Sequence, residues 1–220
     1  MIFLLSLLMI TTNTPDKPTL IYVGDPMCSW CYGVAEELDA AMQELGDDVA
    51  FELVVGGLRS GGGDQWNAEF KDFLKHHWED VSAASGQPFG YDLLQLDHFD
   101  YDTEPACRAV VVAQSIDKKV EFQFFKSIQK KFYVDNEDPK QTAFYESICK
   151  EVGLDFAIFS TRFESDSYKS VTLEHFQKAR SLGVSSFPTI LLKQGDNYQV
   201  VARGFTKSAD MVSTVRKSLP

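Results

Sequence analysis

The start of this chain is constrained by two apolar runs with a helical pattern between them. Thr19-Leu-Ile-Tyr-Val23 is short and apolar and is closed by Gly24-Asp-Pro26, the signature of a buried strand. From Ser29 the period lengthens. Cys31, Val34, Leu38, Met42 and Leu45 recur at steps of three and four, and Gly46 supplies a stop. Val49-Ala-Phe-Glu-Leu-Val-Val55 is a second strand, ending at Gly56-Gly57. Strand, helix and strand in about 40 residues form a βαβ unit, whose two strands should run parallel.

Strand signals then stop. Trp66, Phe70, Phe73, His77 and Val81 mark one helix face. Thr103 is placed to cap a helix running to about Ser115, with Pro105 tolerated in its first turn. Phe122, Phe125, Ile128 and Phe132 mark another helix. Tyr145, Ile148 and Val152 mark a third, stopped by Gly153, and a shorter one follows Asp155. Val171 to Leu182 is helical and closes at Gly183. Thr189-Ile-Leu-Leu-Lys193 and Gln199-Val-Val-Ala202 flank Gln194-Gly-Asp-Asn197 with hairpin spacing, and Lys207 to Ser218 is a final helix. A two-stranded sheet is marginal alone, so the strands at both ends must share one sheet. The expected class is α/β, divided into a leader or extension over 1–18, a first part of the sheet domain over 19–63, an all-helical insertion over 64–168 and a second part over 169–220.

Cys28 and Cys31 sit where the first strand ends and the first helix begins. Unpaired backbone N–H groups and the positive end of the helix dipole meet there, and both favour a thiolate. A free cysteine titrates near about 8.5, and CxxC pairs at helix N-termini fall to roughly 3.5–7.5. The thiolate is the species that attacks a disulfide. Cys31, three residues on, lies on the same side of the first turn and opens the apolar stripe. Cys28 is therefore expected to be the nucleophile and Cys31 the more buried, resolving thiol. Pro26 and Trp30 should shape access to the sulfur. Zinc would need two more ligands at suitable spacing. Cys107 and Cys149 are isolated and His76-His77 is adjacent, so no metal is expected.

Composition narrows the partners. The net charge of -11 repels phosphate backbones and anionic lipid, so neither nucleic acid nor a membrane surface is expected. Four cysteines are too few for a disulfide scaffold at this length, leaving the close pair for chemistry. Met1 to Ile10 is apolar but shorter than the roughly 20 residues that span a bilayer. No Lys or Arg precedes it, so it fits a secretory signal no better than a frayed leader or a start placed too early. The expected compartment is the cytoplasm, with the periplasm or secretion as the alternative if that run is a signal.

Asp25-Pro-Met-Cys-Ser-Trp-Cys-Tyr-Gly33 resembles the active-site segment of DsbA-like proteins of the thioredoxin superfamily, closest to the FrnE-like branch. Gly183-Val-Ser-Ser-Phe-Pro-Thr189 resembles the family's cis-proline loop, and Gly56-Gly-Leu-Arg59 and Pro105-Ala-Cys-Arg-Ala109 resemble further segments of that branch. The resemblance runs from about Thr19 to the C-terminus. It implies a thioredoxin-like fold interrupted by a helical insertion and a cis Phe187–Pro188 bond that turns the Phe187 backbone toward Cys28. An extended substrate could pair there as an added strand. From the residues alone, Pro188 could equally be a trans proline opening an edge strand.

The implied activity is protein or peptide thiol–disulfide exchange. No cofactor is needed beyond the redox-active Cys28–Cys31 pair, with glutathione as a co-substrate and a separate redox-recycling partner. The alternative is a glutathione-dependent isomerase or transferase of the related 2-hydroxychromene-2-carboxylate isomerase or kappa-class type. That branch has serine at the first cysteine position, and retention of both cysteines argues against it. Two departures leave the direction open. Tyr22 stands where the family often has a buried carboxylate, so the proton at Cys31 would pass through water or another acid such as Glu52. Ser29-Trp30 supplies no basic residue between the cysteines. Cys107 is a candidate third redox thiol, with a packing role as the alternative. Cys149 reads as core, and Arg59 as one half of an ion pair or a holder of an anionic group.

Overall fold

The computed structural model describes residues 17–219. All but the last two positions of the expected leader lie outside that range. Strand β1 (Thr19–Gly24) pairs in parallel with β2 (Ala50–Val55), Thr19 opposite Ala50 and Gly24 opposite Val55. Helix α1 (Ser29–Leu45) makes the crossover and stops at Gly46, whose φ is 50°. Strands β3 (Thr189–Gln194) and β4 (Asn197–Arg203) form the hairpin. β3 lies antiparallel to β1, with Val23 opposite Thr189, and the sheet order is β2-β1-β3-β4. Strands from the two ends of the chain thus lie side by side at its centre.

The intervening chain is helical: α2 (Ala68–Ser85), α3 (Glu104–Ile116), α4 (Glu121–Tyr133), α5 (Glu146–Val152) and α6 (Phe156–Phe163), with short 3-10 turns between them. Helices α7 (Asp166–Ser181) and α8 (Ser208–Ser218) flank the hairpin. Strand alternation sends side chains to two faces. Leu20, Tyr22, Leu53, Val55, Ile190 and Leu192 join the main core with α1, α8 and the insertion. Ile21, Val23, Val54 and Leu191 form a smaller cluster with Ala179 and Val184 under α7. Among the described residues no helix is long and apolar enough to cross a membrane.

Two helices depart from the pattern expected of them. α2 buries Leu74, Trp78 and Val81 and leaves Phe73 45% exposed, so its core stripe is not the one through Phe73 and His77. Trp78 decides this. It is fully buried and packs against Phe89, Tyr91, Phe132 and Tyr133, which pins the helix rotation. α7 begins at Asp166, five residues before the apolar pattern starts. Its first turn is polar, and Asp166 suits the positive end of the helix dipole, so hydrophobic periodicity cannot register it. Val171 and Leu173 stay exposed while Thr172, Phe176 and Ala179 face inward.

Glu121, at the start of α4, is 4% exposed and accepts a hydrogen bond from Gln114 Nε2 at 2.8 Å. Burial pushes its pKa up to about 7, against the pull of Gln114. An unfolded glutamate titrates near about 4.3. Between those values the unfolded chain has released this proton and the folded chain still holds it, so stability falls as pH rises through the window. Glu121→Gln should flatten that slope and raise stability above the window by on the order of 2 kcal/mol, read from urea unfolding at a series of pH values.

Candidate active site

Cys28 is the N-cap residue of α1, with φ -92° and ψ 117°. A tight turn delivers it there, Cys28 N–H donating to Asp25 O at 3.0 Å. Its side chain is 6% exposed, whereas Cys31, one helical turn on, is 0% exposed. Both are buried, but only Cys28 keeps any surface. Cys28 Sγ faces the Phe187 carbonyl oxygen at 3.6 Å, and the Phe187–Pro188 peptide bond is cis. Cys31 Sγ accepts the Asp25 N–H at 3.5 Å. Burial, reinforced by Cys28, pushes the Cys31 thiol well above its ordinary range.

Beneath the dithiol lies a carboxylate that sequence reasoning did not single out. Asp25 is 0% exposed. Its Oδ1 accepts Met27 N–H at 2.8 Å; its Oδ2 accepts Leu58 N–H at 2.7 Å and the Cys107 thiol at 3.3 Å. The Thr103 hydroxyl lies against the same carboxylate. Thr103 occupies the cap position of α3 as expected, but its hydroxyl makes no capping bond and accepts Arg59 N–H at 3.1 Å instead. Burial raises the Asp25 carboxyl, and the Leu58 and Met27 amides pull it back. Tyr101 adds a tie from the insertion, donating to Met27 O at 2.9 Å. The signal was available in Asp25-Pro26 ahead of the cysteines: an aspartate opening a turn accepts from the amide two residues on.

The two glycines after β2 leave room for aromatic rings. A Cβ on Gly56 would lie 2.1 Å from Phe187 Cζ, and one on Gly57 would lie 2.7 Å from Phe176 Cζ. Phe187 thus rests on bare backbone, and that contact seats the carbonyl facing Cys28.

A family model described as Thioredoxin matches residues 21–209. The chain belongs to the thioredoxin family. Among solved structures it is similar to a candidate protein disulfide isomerase from Nitrosomonas europaea, with 33% identity and a TM-score of 0.86 over 93% of this chain and 98% of that one. It is also similar to the cytosolic disulfide reductase DsbM from Pseudomonas aeruginosa, with 25% identity and a TM-score of 0.76 over 91% and 98%. DsbM has also been solved with GSH. A 2-hydroxychromene-2-carboxylate isomerase shares the fold at 14% identity and a TM-score of 0.62 over 91% and 95%. No curated protein sequence matches. The architecture is a thioredoxin-like fold with a helical insertion, and the structural relatives include DsbA-like oxidoreductases.

The thioredoxin-like frame brings Cys28, Cys31, Phe187 and Pro188 together across 160 residues of sequence. Trp30 is partly buried and packs against the main core. Cys107 lies behind Asp25, fully buried, and burial with the Asp25 charge holds it as a thiol that donates. Cys149 is 0% exposed, in the core. Arg59 pairs with Asp64 at 2.5 Å and lies over the Phe70 ring. Glu52 is no acid for Cys31. It pairs with Lys178, and its register partner Ile21 belongs to the sheet face under α7, opposite to Tyr22. His76 and His77 each bond a carbonyl of their own helix.

Ala at either glycine should cost stability, unequally. Gly56→Ala meets a partly exposed ring that can shift and should cost about 1 kcal/mol. Gly57→Ala meets Phe176, which is 3% exposed, at a φ of 68°, and should cost about 2–4 kcal/mol from overpacking and backbone strain together. Urea denaturation of both variants checks the order, and equal costs would refute the packing argument.

Proposed function

We propose that this chain is a thiol–disulfide oxidoreductase acting on protein or peptide disulfides, with Cys28 as nucleophile and Cys31 as resolving thiol. The observation that carries this reading is the asymmetry of the pair: Cys28, the N-cap of α1, keeps 6% of its surface and sets its Sγ 3.6 Å from the Phe187 carbonyl, while Cys31 one turn on has none. A substrate disulfide reaches only Cys28. The first helical turn offers its amides to the charge on that sulfur. Attack breaks the substrate S–S bond, releases one of its sulfurs as a thiolate that takes up a proton, and joins the other to Cys28 as a mixed disulfide. Cys31 then attacks Cys28 Sγ, the Cys28–Cys31 bond forms, and the substrate sulfur departs with the electron pair and takes up a proton. Run backward, the same steps oxidise a substrate dithiol.

The segment ending at Phe187 offers an extended peptide a backbone edge beside Cys28, the geometry of strand addition. Similarity to DsbM supports the reducing direction, a cytosolic compartment and glutathione as the thiol that restores the dithiol. Two substitutions test the exchange chemistry. Cys28→Ser should abolish reduction of insulin disulfides, and Cys31→Ser should stall as a mixed disulfide visible by mass spectrometry. Full turnover by Cys28→Ser would sink the proposal. Equilibration with glutathione buffers sets the direction: a potential near about -270 mV marks a reductant and one near about -120 mV an oxidant.

A further inference from the structure

Tyr22 is 0% exposed, and among the described residues its hydroxyl has no partner in full hydrogen-bond geometry. A buried, unpaired hydroxyl is a standing cost in a folded protein, and native structures seldom keep one without use. This hydroxyl is aimed. Tyr22 lies on the central strand β1, and its ring runs beneath Gly24, where a Cβ would lie 2.6 Å from the hydroxyl oxygen. Only a glycine lets the phenol reach the level of the loop that carries Asp25. The Asp25 amide, next along the chain from Gly24, lies 3.5 Å from Cys31 Sγ, and the Tyr22 hydroxyl beneath Gly24 pulls the Cys31 pKa down as a donor although the pair falls outside full hydrogen-bond geometry.

Resting on the exchange reading above, we propose that Tyr22 is the hydrogen-bond donor that stabilises the Cys31 thiolate while it resolves the mixed disulfide. Cys31 must lose its proton before it can attack, in a pocket that offers its charge little water. The Asp25 carboxylate already accepts from Met27, Leu58 and Cys107, and Glu52 lies on the other sheet face, paired with Lys178. Among the described residues, once the Cys28 thiol is tied up in the mixed disulfide, the donors left beside the sulfur are the Asp25 amide and the Tyr22 hydroxyl. Burial drives the Tyr22 phenol well above its ordinary range, so it keeps its proton throughout and acts as a donor, never as a base. In the net step the proton that Cys31 gives up is balanced by the one the departing substrate sulfur takes up. The departing substrate sulfur takes up one proton, the dithiol loses two electrons and the substrate disulfide gains them. Tyr22 is unchanged at the end.

The test is stopped-flow reaction of the reduced full-length protein with dithiobis(nitrobenzoate). Attack by Cys28 releases the first coloured thiolate, and resolution by Cys31 releases the second. In Tyr22→Phe the first phase should be unchanged and the second slowed about tenfold at neutral pH, the loss expected for one hydrogen bond to a charged group. The pH midpoint of the second phase should move up by about one unit. Urea unfolding of reduced Tyr22→Phe should show stability equal to or above the parent, because the variant removes an unpaired buried hydroxyl. An unchanged second phase overturns the proposal, and so does equal slowing of both phases. Cys28→Ser accounts for any release from Cys107 or Cys149. If the parent shows no second phase, the exchange reading fails, and this inference fails with it.

Discussion

The dithiol end of this molecule is organised by one buried carboxylate. Asp25 accepts from the turn that leads into α1, from Leu58 just beyond β2 and from Cys107 on α3. Those three groups belong to three different parts of the chain, and the carboxylate joins them at one point. A carboxylate without solvent is costly unless its lone pairs are filled, and these are. Removing any donor would leave the charge short of a partner in a dry place, so the insertion and the sheet domain are held in register at the point where register matters most. Cys107, a thiol in a family known for reactive thiols, serves this network through its hydrogen.

Around that hub the sheet keeps its two faces apart. Tyr22, Leu53 and Ile190 face α1 and the insertion, while Ile21, Val54 and Leu191 face α7. The separation decides which polar groups can assist the dithiol. Glu52 has suitable chemistry and lies on the wrong side. Tyr22 lies on the right side and lacks a carboxylate's basicity. The site therefore combines a slightly accessible sulfur at a helix N-terminus with a fully buried one, and no carboxylate of the described residues is placed to take the buried thiol's proton.

Much of this was legible in the residues. The βαβ start, the hairpin, the shared sheet and the long helical interruption follow from apolar period and turn chemistry, because each buries a face that only one periodicity can supply. The CxxC placement followed from the junction of strand and helix. What escaped has a physical cause in each instance. Trp78 fixed the rotation of α2 through aromatic partners that arrive from Phe89, Tyr91, Phe132 and Tyr133. The polar first turn of α7 carries no hydrophobic signal. The ties from Thr103, Cys107 and Tyr101 to the loop around Asp25 span more than 70 residues, and no local pattern encodes a partner at that range.

The central pairing of β1 with β3 has a consequence for biosynthesis. Thr19 to Val23 find their neighbours at Thr189 to Lys193, so the sheet cannot close until nearly the whole chain is available. The cysteines emerge from the ribosome early, and the segment ending at Phe187 emerges late. For most of its synthesis the chain carries a dithiol without the backbone that will face it, in a region whose contacts are among the most distant in sequence and thus the slowest to form. A nascent chain of this kind is itself exposed to chance oxidation, and the helical insertion, made of nearer contacts, can collapse while the site is still incomplete.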